Sequence, residues 1–286
     1  MNTNFWLIQA FNGISYGALL FLLGSGLSLI FGVMRIVNLS HGSYFLLGGY
    51  VALSVIWTTG SWALALPVAA LAIAVVGLLM ERIFLRPLGF DPLRQVLLTV
   101  GFAFLFQQAA LDIWTGNNFD INPPEALTRS IVIGGLYLPL YRVFMIAMAA
   151  AIGLALWLVM EKTRMGAAVR ATVDDAQMAR GVGIDTSRIS MFIFALGAFL
   201  AALGGVIGGA FLGIYPGLDF EMLPIAFAVV IIGGMGSLGG AAIGALLVGL
   251  ADNFGKALFP EVSYFTLYAP MALILAVKPT GLFGRE

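Results

Sequence analysis

The chain has 286 residues, 61% of them hydrophobic and only 10% charged, with zero net charge, mean hydropathy +1.02 and no cysteine. A soluble domain carries about 25% charged residues, so a water-facing surface over the whole chain is excluded, and with it disulfide and thiol chemistry and the basic footprint of a nucleic-acid binder. The 36 glycines follow no period and suit close helix packing inside a membrane bundle.

The start, Met1-Asn2-Thr3-Asn4-Phe5, has no basic leader, and the apolar stretch behind it is too long for a signal-peptide core. It is predicted to be a retained span. Apolar runs over 5–31, 42–57, 62–81, 96–114, 141–160, 189–213, 223–251 and 264–278 approach the roughly 20 residues that cross a bilayer. The 42–57 run is short and is expected to be tilted or re-entrant. The 223–251 run is long and broken by glycines, with Gly233, Gly234, Gly236 and Gly239 the candidate hinge or close-packing positions. The break predicts two short helices and eight or nine crossings in all. Every loop is short, so residues 1–286 are expected to form one all-α polytopic membrane bundle.

Basic residues in short loops orient such a bundle. Arg82, Arg86 and Arg94 share one loop, and Lys162, Arg164, Arg170, Arg180 and Arg188 share another, two crossings later. Both loops are therefore expected on the cytoplasmic side, which puts the first residues outside and Arg35 and His41 near the inner face. Residues 115–140 and the loop holding Asp219 and Glu221 are expected outside. Lys278 and Arg285 are cytoplasmic if 223–251 crosses twice.

Residues 161–188 hold nine of the 28 charged side chains. Such an island cannot sit in lipid. Gly166 can open a helix and Gly181 or Gly183 can close it. The alanines between favour helix, and Arg170 and Asp174 are spaced to pair on one face. Charge alone reads as a solvated positive-inside loop.

Upstream, Asn38, Ser40 and His41 gather an amide, a hydroxyl and the single histidine. They could contact a polar solute, or Asn38 or Ser40 could cap the following helix. One histidine with no second ligand at metal spacing does not predict a metal. Gln107 and Gln108 lie inside an apolar run, so at least one is expected to face the bundle interior, for an inter-helix hydrogen bond or for solute. No Walker A loop, GxSxG elbow or HExxH motif occurs, so no ATP site or hydrolytic centre of those kinds is expected. A weak internal echo links the segment 38–49 with the break at 233–240.

The ordered motifs resemble a known family. They run from Ile36-Val37-Asn38-Leu39-Ser40-His41-Gly42 with Gly48-Gly49-Tyr50, through Glu81-Arg82, Leu85-Arg86-Pro87-Leu88 and Val100-Gly101 with Phe106-Gln107-Gln108. They continue in Arg164-Met165-Gly166, Val169-Arg170-Ala171, Met178-Ala179, Gly183-Ile184-Asp185-Thr186 and Gly204-Gly205-Val206. The last are Gly233-Gly234-Met235-Gly236-Ser237 and Lys278-Pro279-Thr280-Gly281-Leu282-Phe283-Gly284-Arg285. In this order the chain resembles the shorter, H-type permease of branched-chain amino-acid ABC importers. The resemblance implies a multi-pass subunit of the bacterial inner membrane that does no covalent chemistry and binds no cofactor. It implies a second, different permease, two cytoplasmic ATPases that bind the ATP, and a periplasmic binding protein. It places the ATPase-coupling helix at Gly166–Gly183, with Arg170, Asp174, Asp175 and Ala179 as its contact residues. Many amino-acid members carry an acidic residue after the His-Gly pair, where this chain has Ser43. Related permeases are similar to transporters of urea, short amides and aromatic acids. A self-sufficient polar-solute channel is the competing class.

Overall fold

The computed structural model describes residues 3–89 and 91–284; the expectations placed on Met1, Asn2 and Arg285 lie outside them. Eleven α-helices run in order among the described residues: α1 Thr3–Met34, α2 His41–Thr59, α3 Trp62–Met80, α4 Pro92–Trp114, α5 Leu140–Lys162, α6 Arg164–Asp174, α7 Ala176–Gly181, α8 Thr186–Leu212, α9 Leu218–Gly233, α10 Leu238–Leu258 and α11 Ser263–Val277. Among the described residues, six segments are long and apolar enough to cross a membrane: α1, α3 with its continuation to Leu88, α4, α5, α8 and α10. The expected break in 223–251 is real, since α9 ends at Gly233 and α10 starts at Leu238, capped by the Ser237 hydroxyl on the Gly240 N–H.

The central helices are α1 and α8, each largely enclosed by the others. Small residues let them approach. A Cβ on Gly26 would lie 2.6 Å from the carbonyl oxygen of Gly197, inside van der Waals contact. Dispersion at such short spacing and the fit of apolar surfaces hold helices together where lipid is as apolar as the core. By contrast, α3 and α5 present Leu71, Val75, Leu154 and Trp157 outward. These are lipid-compatible faces.

Between α4 and α5, residues Ser130–Ile133 (β1) and Leu136–Pro139 (β2) form an antiparallel hairpin with Ser130 opposite Pro139. Its turn residues Gly134 and Gly135 have φ of 58° and 82°, the left-handed pair that matches the strand twist. The hairpin marks one side of the bundle, and α6 and α7 mark the other, the island side.

Two elements depart from plain crossings. α1 ends on the island side, where Arg35 takes φ 54° and turns the chain. Residues 36–40 then run irregularly back into the bundle, and α2 starts at His41, whose Nε2 meets the Leu23 carbonyl at 3.0 Å. Leu23 lies eleven residues before Met34, about 16 Å along α1 at 1.5 Å per residue. An extended segment of six residues reaches about 20 Å, enough for this return. His41 therefore sits near half depth, not near the inner face as expected.

The second half repeats this with opposite polarity. α8 ends on the hairpin side, residues 213–217 turn inward, and α9 starts against α2: Gly42 is packed on the Asp219 carbonyl with no room for a Cβ. Phe220 meets Phe104, in the middle of α4, at 5.7 Å. Asp219 and Glu221 thus lie near half depth in the first turn of a helix, not in an outer loop. Like residues 35–40 between α1 and α2, residues 213–217 join α8 to α9. α11 returns to the island side, where Leu282 and Phe283 donate backbone N–H groups to the carbonyls of Ile232 and Gly233 at 2.9 and 3.0 Å. That strap satisfies carbonyls left open at the end of α9 and puts the residues after α11 on the island side.

Candidate functional site

At half depth the start of α2 meets the start of α9. Asn38, Ser40 and His41 are fully buried, Ser43 is 1% exposed and Asp219 2%. Ser43 Oγ donates to Asp219 Oδ2 at 3.1 Å, joining residues 176 positions apart. Both helices direct the positive end of their dipoles toward this junction, and the Asp219 carboxylate lies at their meeting point. Ser40 occupies the residue before α2, but its hydroxyl donates to Asn38 Oδ1 at 2.7 Å and makes no cap. Because the partner of His41 Nε2 is a carbonyl, which only accepts, Nε2 carries the proton. His41 Nδ1, Asn38 Nδ2 and Asp219 Oδ1 find no hydrogen-bond partner. Of the candidate pathway residues, Asn38, Ser40 and His41 come together here.

Gln107 and Gln108 do not join them. Gln107 is half-buried, and Gln108 is on the outward face of α4, where its Nε2 donates to Asp112 Oδ1 at 2.9 Å. The exposed stripe of α4 also carries Phe104 and borders Phe220 and Glu221 at the start of α9, where Tyr215 donates to Glu221 Oε2 at 2.8 Å. An ionised side chain held at the centre of a bilayer costs about 2.5–3.5 kcal/mol by insertion scales, so this face differs in kind from those of α3 and α5.

On the island side, the single helix expected over 166–183 is two. α6 starts at the Thr163 cap, whose Oγ1 accepts from Gly166 N–H at 3.1 Å. Gly166 packs on the Met160 carbonyl with no room for a side chain. Val169 buries against α5, α8 and α1, in a cluster with Leu29, Met160, Ile189 and Ile193, and Thr172 is buried one turn further along α6. Arg170 turns back to α5, donating to the Met160 carbonyl and lying 3.6 Å from Glu161. Asp175 ends α6 and caps α7, accepting from the Gln177 and Met178 N–H groups at 2.8 and 2.9 Å. α7 buries Ala179 and closes at Gly183, with φ 90°. Met178 and Val182 are left 65% and 71% exposed in charged surroundings. Asp174 is exposed beside them.

Among the break residues, Gly233 packs on Gly240, and Gly234 and Gly236 have φ of 101° and 81°. A Cβ on Gly239 would meet open space. The close packing within the break is that of Gly233 on Gly240.

The family described as "Branched-chain amino acid transport system / permease component" matches residues 9–275. The chain belongs to this family. It is 31% identical to "High-affinity branched-chain amino acid transport system permease protein LivH" of Escherichia coli K12, covering 98% of this chain and 96% of that one. It is 28% identical, with the same coverage, to "High-affinity branched-chain amino acid transport system permease protein BraD" of Pseudomonas aeruginosa. To "High-affinity branched-chain amino acid transport system permease protein LivM" of Escherichia coli K12 it is 27% identical over 91% of this chain and 67% of that one. No solved structure matches.

Membership in the permease family bears on Ser43. The position where the resemblance expects an acidic residue carries a hydroxyl, and the carboxylate of Asp219 reaches it from the opposite half. Sequence reasoning missed Asp219, Glu221, Met178 and Val182. The first two carried a signal, acidic residues opening an apolar helix with Pro224 inside it. Of the last two, Met178 entered only as part of the Met178-Ala179 motif, and Val182 was not singled out.

Proposed function

We propose that this permease is one of two different membrane subunits of an ABC importer in a bacterial inner membrane, moving branched-chain or related amino acids. ATP is bound and hydrolysed by two cytoplasmic partner subunits, and a periplasmic protein delivers the solute. The observation that carries the reading is the outcrop of α7 at the end of the bundle. α6 is bedded in the membrane helices, and α7 with the residue that ends it holds Met178 and Val182 up into water beside Arg180 and Asp174. α7 packs on α6, and α6 packs on both α5 and α8, so the pair can pass a push from a docked ATPase into both. The family match, the similarity to LivM as well as LivH, and a sequence without a Walker A loop support the same reading. Within it, Asn38, Ser40, His41, Ser43 and Asp219 form the joint between the two inverted halves, where a shift of α8 reaches α2 and α9.

The test is co-expression with candidate ATPase, second-permease and binding-protein subunits, followed by affinity purification and uptake in proteoliposomes. The expected outcome is a stable complex with leucine uptake that needs both ATP and the binding protein. Leucine or urea flux through the isolated chain without ATP would place it in the channel class instead.

A further inference from the structure

We propose that the outward face shared by α4 and the first turn of α9 is the wall of the solute passage, facing the second permease. We further propose that Glu221 is the group on it that engages the solute, through the solute's N–H donors. The inference deepens the importer reading and rests on it.

Three observations carry it. First, depth: Phe104 lies ten residues before the end of α4 at Trp114, about 15 Å along the axis, and its ring meets Phe220 at 5.7 Å. Glu221 follows Phe220 directly and so lies near the centre of the bilayer. Second, polarity: from the hairpin side toward the centre, this face presents Asp112, Gln108 and Glu221, all exposed in the isolated subunit. Carboxylates and amides at this depth are expelled from hydrocarbon unless they meet water or polar partners. The faces of α3 and α5 carry Leu71, Val75, Leu154 and Trp157 in the same role and can meet lipid. Third, construction: the Glu221 carboxylate is held by the Tyr215 hydroxyl at 2.8 Å. Behind it, Asp219 is buried with one oxygen lacking a partner. The halves of the protein thus meet beside this face, where a movement of α9 relative to α2 changes the wall.

The chemistry restricts the solute. A carboxylate flanked by two exposed phenyl rings accepts hydrogen bonds from an ammonium or an amide NH2 and lays apolar carbon along Phe104 and Phe220. It repels a solute whose only polar group is a carboxylate. Branched amino acids fit, as do urea and short amides. Aromatic monocarboxylates do not.

The chain has no cysteine, so single cysteines report cleanly. Phe104→Cys, Gln108→Cys and Phe220→Cys, with Leu71→Cys and Leu154→Cys as references, are placed in the assembled importer in membranes and treated with a charged, membrane-impermeant maleimide. The first three are expected to label at least ten times faster than the references. Equal rates refute the wall. Leucine or urea at saturating concentration is expected to slow labelling of Phe220→Cys at least threefold, and which of the two does so identifies the donor. Benzoate is expected to leave it unchanged. Protection by benzoate alone, or by none of the three, overturns the role of Glu221. In a second arm, Glu221→Gln is expected to raise the KM of uptake at least tenfold with ATPase co-purification unchanged, and an unaltered KM counts against it. Failure of the importer reading has a separate signature, the absence of ATPases from the purified complex. Failure of the wall leaves the complex intact and the labelling uniform.

Discussion

Replacing Gly42 with alanine tests the junction at half depth. The new Cβ would overlap the Asp219 carbonyl and lie 3.1 Å from the Leu223 Cβ. A carbonyl in a helix cannot swing aside as a side-chain tip can, so α2 and α9 must separate. Overpacking of this kind costs about 1–3 kcal/mol. Separation also stretches the Ser43–Asp219 hydrogen bond, now 3.1 Å, and losing a bond to a charged group costs about 1.5–3 kcal/mol. Alanine returns about 0.5–1 kcal/mol by helix propensity. The net expectation is a destabilisation of about 2–5 kcal/mol, which at about 2–4 °C per kcal/mol for a chain of this order lowers the Tm by at least 4 °C. Gly239→Ala is the control, because a Cβ there meets nothing within 4 Å. Its Tm should hold or rise slightly. The assay is thermal unfolding of the purified permease in detergent, followed by tryptophan fluorescence. A Tm for Gly42→Ala within 1 °C of the control would refute the close approach of the two half-helices.

Ser43→Ala removes the hydroxyl from a buried carboxylate and should destabilise the permease by about 1–3 kcal/mol; Ser43→Ala combined with Asp219→Ala should cost less than the sum of the two singles, read in a double-mutant cycle by the same melt. Met178→Asp with Val182→Asp leaves the bundle untouched, because both side chains are exposed, and should cut ATPase recovery in pull-downs at least tenfold with Tm unchanged. Thr163→Ala deletes the cap of α6 seen at Gly166 and should cost about 1 kcal/mol, visible as faster proteolysis within 161–188. Arg35→Gly relieves a left-handed residue by about 1 kcal/mol and should raise the Tm by a few degrees in the same melt.

Much of the fold was legible one residue at a time. The membrane class, the helical content, the glycine break ending α9 at Gly233 and the charged island all follow from quantities that sum along the chain, namely hydropathy over a window and helix propensity. That Arg86 shares one side of the bundle with the island follows in the same way from the spacing of the apolar runs, and its guanidinium donates to the Ser187 carbonyl there. His41, Asp219 and Glu221 were misplaced because a window average cannot distinguish a polar loop in water from a polar segment folded back to half depth. Asn38, Ser40 and Asp219 look equally unfit for lipid in either case.

Only tertiary structure supplies what makes them tolerable there. The Leu23 carbonyl serves His41, Ser43 serves Asp219 across 176 positions, and the bare Cα of Gly42 admits the second helix. The same holds for the outward faces. Leu71 and Glu221 both lie exposed on apolar helices, and sequence alone assigns neither a neighbour. The sequence by itself determined which stretches leave water, because that free energy depends on each side chain and its near neighbours. Which of them meet, at what depth, and which face turns from lipid depended on contacts between residues far apart in the chain, and those exist only once the two inverted halves have closed on one another.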